Sequence, residues 1–128
     1  MKKTVYLILG FLTVLAIFSC QSTQVVIPAD ATETELTKQA QIAFDSGNTK
    51  AAKEYYEAII ERFGDNTESL VIAKYELAHL YIKEKNYKNA QPILEEILGL
   101  YEADFSNTLP PEYKKLAQID FAKIPELS

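Results

Sequence analysis

Tryptophan is absent from this 128-residue chain, and cysteine, histidine and methionine occur once each. One cysteine, Cys20, allows no internal disulfide. A zinc site takes about four nitrogen or sulfur ligands, more than Cys20 and His79 supply. The 4 glycines form no phosphate-cradling loop, and neither a P-loop nor a Gly-x-Ser-x-Gly turn occurs. Adjacent carboxylates such as Glu95 and Glu96 point to different sides of a helix, so they read as a solvated face rather than an acid–base pair. These absences argue against an enzyme, and neither metal nor cofactor is expected. No stretch of useful length alternates apolar with polar residues, which excludes a strand-built domain. Basic residues are also scarce, at 13 against 18 acidic ones. Two of the 13 are Lys2 and Lys3, so the remainder carries 11 against 18, a formal −7. Such a surface is a poor match for nucleic-acid phosphates and does not adhere to anionic headgroups.

What the chain does have begins at its first residues. Lys2 and Lys3 precede an apolar run from Val5 to Phe18 that ends at Ser19-Cys20. A basic start, an apolar stretch and a small residue predict an export signal over residues 1–19. The run is shorter than the ~20 apolar residues of a membrane span. Ile17-Phe18-Ser19-Cys20 resembles the lipobox of bacterial lipoproteins, which implies a lipid-modified Cys20. The other reading is a plain secretory signal with a chance cysteine. Lipid chains hold a protein to a bilayer by burying methylenes, and several chains make the hold stable. Gln21, rather than Asp, follows the cysteine. In enteric-type sorting this implies the periplasmic face of the outer membrane. The 109 residues from Cys20 onward (128 less 19) suit a single domain, by the prior of roughly 100–200 residues for each.

Polar residues with Pro28 and no helical period predict a flexible tether over residues 20–32. Beyond it the pattern is helical. Turn signals at Asp45–Asn48, Phe63–Asn66, Lys83–Asn86 and Ser106–Pro111 divide it into five helices, about 33–46, 49–63, 67–84, 87–102 and 111–123, before a tail at 124–128. Thr32-x-x-Glu35 and Asp65-x-x-Glu68 offer capping boxes, and Asn86 can cap the helix that follows it. Pro111 suits a first helical turn, while Gly64 and Pro125 suit helix ends. The fold class is all-α.

These helices repeat. Leu77-Ala78-x-x-Tyr81, Ala90-x-x-x-Leu94 and Ile97 align with Ala40-x-x-Ala43, Ala52-x-x-x-Tyr56 and Ile59. Both Ala40 to Ala78 and Ala52 to Ala90 span 38 positions, and Leu116-Ala117 with Phe121 lies 39 beyond Leu77-Ala78 and Ile82. The pattern resembles the tetratricopeptide repeat, whose unit of about 34 residues reads W-x2-L-G-x2-Y, then A-x3-F, then P. The second copy matches at Leu77, Ala78, Tyr81, Tyr87, Ala90 and Leu94, and the first at Ala40, Gly47, Ala52 and Tyr56. Gln39 stands where the first copy would need Leu, and both copies lack the leading aromatic and the closing proline. The resemblance implies a short α-solenoid of antiparallel helix pairs over residues 33–123, with about two repeats and a capping helix. Alanines at the crossings let neighbouring helices approach closely. On the capping helix, Tyr113, Leu116 and Ile119 are expected to face the stack, with Lys114, Lys115 and Gln118 on its polar side.

In that family the first helix of each repeat lines a concave groove that holds partner segments. Carried over by position, the groove comprises Thr37, Gln41 and Phe44, then Tyr75, His79 and Ile82, then Lys114, Gln118 and Phe121. Phe44, Ile82 and Phe121 suit inter-helix packing equally well, and His79 suits either a half-buried groove position or a pH switch. Ala51–Asn66 and Ala73–Leu98 are similar to the tetratricopeptide lipoproteins of β-barrel assembly and to the Tol-Pal-associated periplasmic repeat proteins. That similarity implies a non-catalytic, lipid-anchored scaffold in the bacterial envelope. Its partners would be other envelope proteins, with β-barrel assembly components among them. The alternative is a small-ligand binder or transporter accessory, which would need a closed apolar pocket in the stack.

Overall fold

The computed structural model describes residues 25–125, so the export signal, Cys20 and the end of the tail lie outside the described residues. Every regular element among them is an α-helix: α1 Glu33–Asp45, α2 Thr49–Phe63, α3 Thr67–Lys83, α4 Tyr87–Ala103 and α5 Pro111–Phe121. The helix ends fall within two residues of those the sequence predicts.

Local chemistry sets these boundaries. At α1 the capping box forms: the Thr32 N–H donates to Glu35 Oε2 at 2.8 Å, and the Glu35 N–H donates to Thr32 Oγ1 at 3.3 Å. The bond from the Thr32 N–H, and then one of 2.8 Å from the Thr32 hydroxyl, hold the Glu35 carboxyl below its usual range. The Asn48 side chain accepts from the Ala51 N–H at 3.1 Å and starts α2. The box expected from Asp65 does not form. Asn66, one residue later, has extended backbone and accepts from the Ser69 N–H at 3.1 Å, and only one residue can occupy the cap. Asn86 precedes α4 but makes no capping bond with its side chain.

The turns inside the two helix pairs are copies of each other. The N–H groups of Ser46, Gly47 and Asn48 donate to the carbonyls of Ile42, Phe44 and Ala43; those of Glu84, Lys85 and Asn86 donate to Leu80, Ile82 and Tyr81. Each partner is shifted by 38 positions, the repeat length. Gly47 (φ +80°) and Lys85 (φ +57°) both take the left-handed backbone that reverses the chain. Glycine adopts it freely, whereas lysine is strained there.

Consecutive helices pack on one another, and α5 folds back to touch α3 as well as α4. By contrast, α1 makes a close backbone approach to α2 but none to α3. Two apolar cores result, and α3 serves both. Ala73, Leu77 and Leu80 join Leu36, Ala52, Tyr56 and Ile59 in the first; Val71, Tyr75, Ala78 and Ile82 join Leu94, Ile97 and Ala117 in the second. Ala40, Ala52, Ala78, Ala90 and Ala117 are all at 0% exposure, as expected where helices cross.

Two expectations change. From Val25 onward the expected tether is laid on the domain: Val25, Ile27 and Ala31 pack on the first core, and Arg62 Nη1 donates to the Pro28 carbonyl at 2.7 Å. On α5, Leu116 and Ile119 are exposed, at 37% and 46%, while Ala117 and Asp120 face inward with Tyr113 and Phe121 beside them. Ala117 at the crossing fixes the helix rotation. Leu116 and Ile119 lie about 100° and 200° from it around the axis, away from the stack.

Candidate partner-binding groove

Because the backbones of α1 and α3 do not approach closely, a narrow hollow of about 120 Å³ opens between them, with α5 at its far side. Thr37 and Gln41 of α1 line it, together with Ile72 and Glu76 of α3 and Tyr113 of α5. The Thr37 hydroxyl donates to the Glu33 carbonyl at 2.9 Å, and the Gln41 amide donates to Asp45 at 2.9 Å. Tyr56 lies at the base of the hollow, its hydroxyl pushed up to about 12 by burial and by the charge of Glu76. Glu76 itself is half-buried. Desolvation raises its carboxyl pKa, His79 opposes that rise and the Asp120 charge adds to it. None of the salt bridges among the described residues includes Glu76.

The other expected groove residues are placed elsewhere. Ile82 is buried in the second core and Phe121 packs against it; Phe44 rests on the first core with the Lys83 ammonium 5.2 Å from its ring centre. For these three, packing is the role observed. Lys114 and Gln118 are exposed on α5 but do not line the hollow.

Tyr75 and His79 belong to a polar cluster below the groove. The two rings stack with centres 5.7 Å apart at 27°, and Tyr113 meets Tyr75 edge-on at 5.5 Å. His79 Nδ1 lies 2.6 Å from Asp120 Oδ2, and Lys123 Nζ lies 2.6 Å from Asp120 Oδ1. Asp120 is completely buried. Burial opposes its charge, yet the bonds and charges of Lys123 and His79 hold its carboxyl below the usual range. An ionised carboxylate only accepts, so it keeps a proton on Nδ1 of His79. Burial, then the charge of Asp120, pushes the Tyr75 hydroxyl well above its ordinary value and keeps it protonated. The cluster therefore clamps α5 to α3 without offering a nucleophile. Sequence reasoning missed Asp120. The available signal was its place three residues beyond Ala117, on the inward row of α5.

Ion pairs also cross between neighbouring helices. Lys53 reaches Glu84 at 2.7 Å while lying 4.7 Å over the Tyr81 ring, and Lys74 reaches Glu96 at 2.5 Å. Larger hollows, about 460 Å³ beside Pro28, Leu36 and Tyr55, about 380 Å³ beside Tyr87, Pro92 and Ile124 and about 220 Å³ beside Val25, Gln39 and Ile42, lie outside the groove. Among the described residues no three His, Cys, Asp or Glu side chains converge as a metal site, and no helix is long and apolar enough to cross a membrane.

Comparison with known proteins adds three findings. An uncharacterized protein of Treponema pallidum (strain Nichols) is 36% identical over 125 residues, an alignment covering 96% of this chain and 49% of the relative. The chain thus spans about half the length of that relative. No solved structure matches. The sequence profile of the tetratricopeptide repeat matches residues 43–106, half of the chain and all of α2 to α4, and with the repeated turns and crossing alanines it places the chain in the tetratricopeptide repeat family.

Proposed function

We propose that this chain is a lipid-anchored scaffold of the bacterial envelope that has no catalysis of its own and holds a segment of another protein in the groove between α1, α3 and α5. The family is one of protein-interaction repeats, and the observation that carries the reading is the open gap between α1 and α3, lined by Thr37, Gln41, Glu76 and Tyr113. Its small volume, about 120 Å³, suits side chains of a bound segment rather than a free ligand, whose sites usually occupy about 300–1,000 Å³. Lys2, Lys3, the apolar run and Cys20 support the anchor. Partners in β-barrel assembly or envelope maintenance are the finer part of this reading, and they rest on the sequence resemblance alone.

Photo-crosslinking in intact membranes tests the groove. A crosslinker at position 37 or 41 is expected to trap a defined set of envelope proteins that the same group at Glu95, on α4, does not. Equal labelling from both faces would overturn the groove reading. Recovery of β-barrel assembly proteins from position 37 or 41 would support the finer proposal, and their absence from the trapped set would refute it. For the anchor, Cys20→Ser is expected to abolish incorporation of labelled palmitate and release the chain from membranes. A variant that remains membrane-bound without label would refute lipid anchoring.

A further inference from the structure

The gap between α1 and α3 holds a half-buried carboxylate, Glu76, that is in no salt bridge among the described residues. Glu76 projects from α3 into a hollow shared with Thr37 and Gln41 across from it and Tyr113 beside it. Other buried or bridging carboxylates of the stack have cations: Asp120 has His79 and Lys123, Glu84 has Lys53, and Glu96 has Lys74. Glu76 forms a salt bridge with none of these, and the charge of His79 only partly offsets the desolvation that penalises its ionised form. Desolvating a carboxylate that is in no salt bridge costs stability, and a cation from outside the chain would offset that cost. The groove is acidic elsewhere too, with Glu33 at its α1 margin, and the chain carries a net −5. The hydroxyl of Thr37, the Gln41 amide and the Tyr113 ring offer hydrogen-bonding and apolar neighbours for a long side chain.

We propose that the groove is selective for a partner segment bearing a Lys or Arg whose side chain enters the gap between α1 and α3 and pairs with Glu76. The inference rests on the reading of this groove as the partner site. Its chemistry also sets the pH response. The groups facing Glu76 are Glu33 on α1, Tyr56 on α2, Tyr75 and His79 on its own helix, and Tyr113 and Asp120 on α5. Protonation of Glu76 removes the counter-charge, so affinity for a basic segment falls as the pH drops through its raised pKa.

Panning a random 12-residue peptide library against the exported chain from Cys20 onward, followed by affinity measurement, tests this. Enriched peptides are expected to share one Lys or Arg at a fixed place beside apolar residues. Glu76→Gln is expected to weaken them about 10-fold or more while raising the melting temperature, because it removes a desolvated charge. That pairing of weaker binding with a more stable fold is one that a merely structural glutamate would not give. Glu76→Lys should redirect enrichment to peptides carrying Asp or Glu. Unchanged affinity in Glu76→Gln, or peptides without a basic residue, would overturn the inference while leaving the groove reading intact. Gln41→Trp separates the two. It fills the gap, and if peptides still bind it at full strength, or if no peptide is enriched at all, the groove reading itself fails.

Discussion

Asp120→Ala offers the sharpest test of how α5 is held. The residue is 0% exposed and takes two charge-assisted bonds of 2.6 Å, from His79 and Lys123. Each such bond contributes about 1.5–3 kcal/mol net when well shielded. The Lys123 side chain is 50% exposed, so solvent screening reduces its share to below about 1 kcal/mol. His79, at 28%, retains about 1.5 kcal/mol by the same reasoning. The expected loss is therefore about 2 kcal/mol, which in a domain of this size lowers the melting temperature by on the order of 10 °C. Thermal unfolding followed by circular dichroism at neutral pH measures it. The pH dependence is a second readout. Because the folded carboxyl lies below its ordinary value of 3.8, the unfolded chain takes up the proton first. Stability from this group is complete above that value and is lost as the pH falls below it. The acid-limb slope should be shallower in Asp120→Ala, and more so than in Lys123→Ala. A melting temperature within about 2 °C of the parent, with an unchanged acid limb, would refute the view that this buried pair stabilises the docked α5.

Three further outcomes follow from the same geometry. Ala78→Leu should overpack the α3–α4 crossing, where Ala78 is at 0% exposure, and cost about 1–3 kcal/mol; chemical denaturation at an unchanged midpoint would count against that crossing. Lys85→Gly should stabilise the chain by about 0.5–1 kcal/mol by relieving a left-handed lysine, while Gly47→Ala at the equivalent turn should destabilise it by about 1–2 kcal/mol. Both come from urea titrations, and effects of the same sign would break the equivalence of the turns. Glu76→Gln has a pH signature opposite to that of Asp120. Its folded pKa is raised from 4.5, so the ionised form costs stability above that value and the cost disappears as the pH falls. The stabilising effect of Glu76→Gln should therefore be present at pH 7 and vanish near pH 4, as two melting curves would show.

The repeat was legible because alanines leave a periodic trace. Ala40, Ala52, Ala78 and Ala90 keep fixed separations, and close packing at a crossing tolerates little else. The helix boundaries were legible from Asn, Thr and Pro at the turns, though Asp65 and Asn66 are adjacent cap candidates and only geometry chooses between them. The site was harder to read. Tyr75, Ile82 and Phe44 recur at the same helical spacing whether they face a groove or a core, and periodicity cannot separate two faces of α3 when both are buried. Asp120 pairs with a residue 41 positions away, so no local pattern marks it. On α5, Leu116 and Ile119 suggest an inward face by their apolarity, yet Ala117 and a buried carboxylate define that face. A helix whose packing row contains a charge has an apolar stripe that misleads.

The missing approach between α1 and α3 also has a mechanical meaning. In this stack α5 is clamped to two helices and α1 to only one. Tilting the first helix pair about the α2–α3 interface would change the width of the gap without pulling closely packed backbones apart, since only side chains such as Lys83, over the Phe44 ring, reach between α3 and α1. Glu76 sits on one jaw of the gap and Gln41 on the other. Whatever spans that gap acts as a strut, and the stiffness it adds should be felt first at α1, where amide hydrogen exchange would slow.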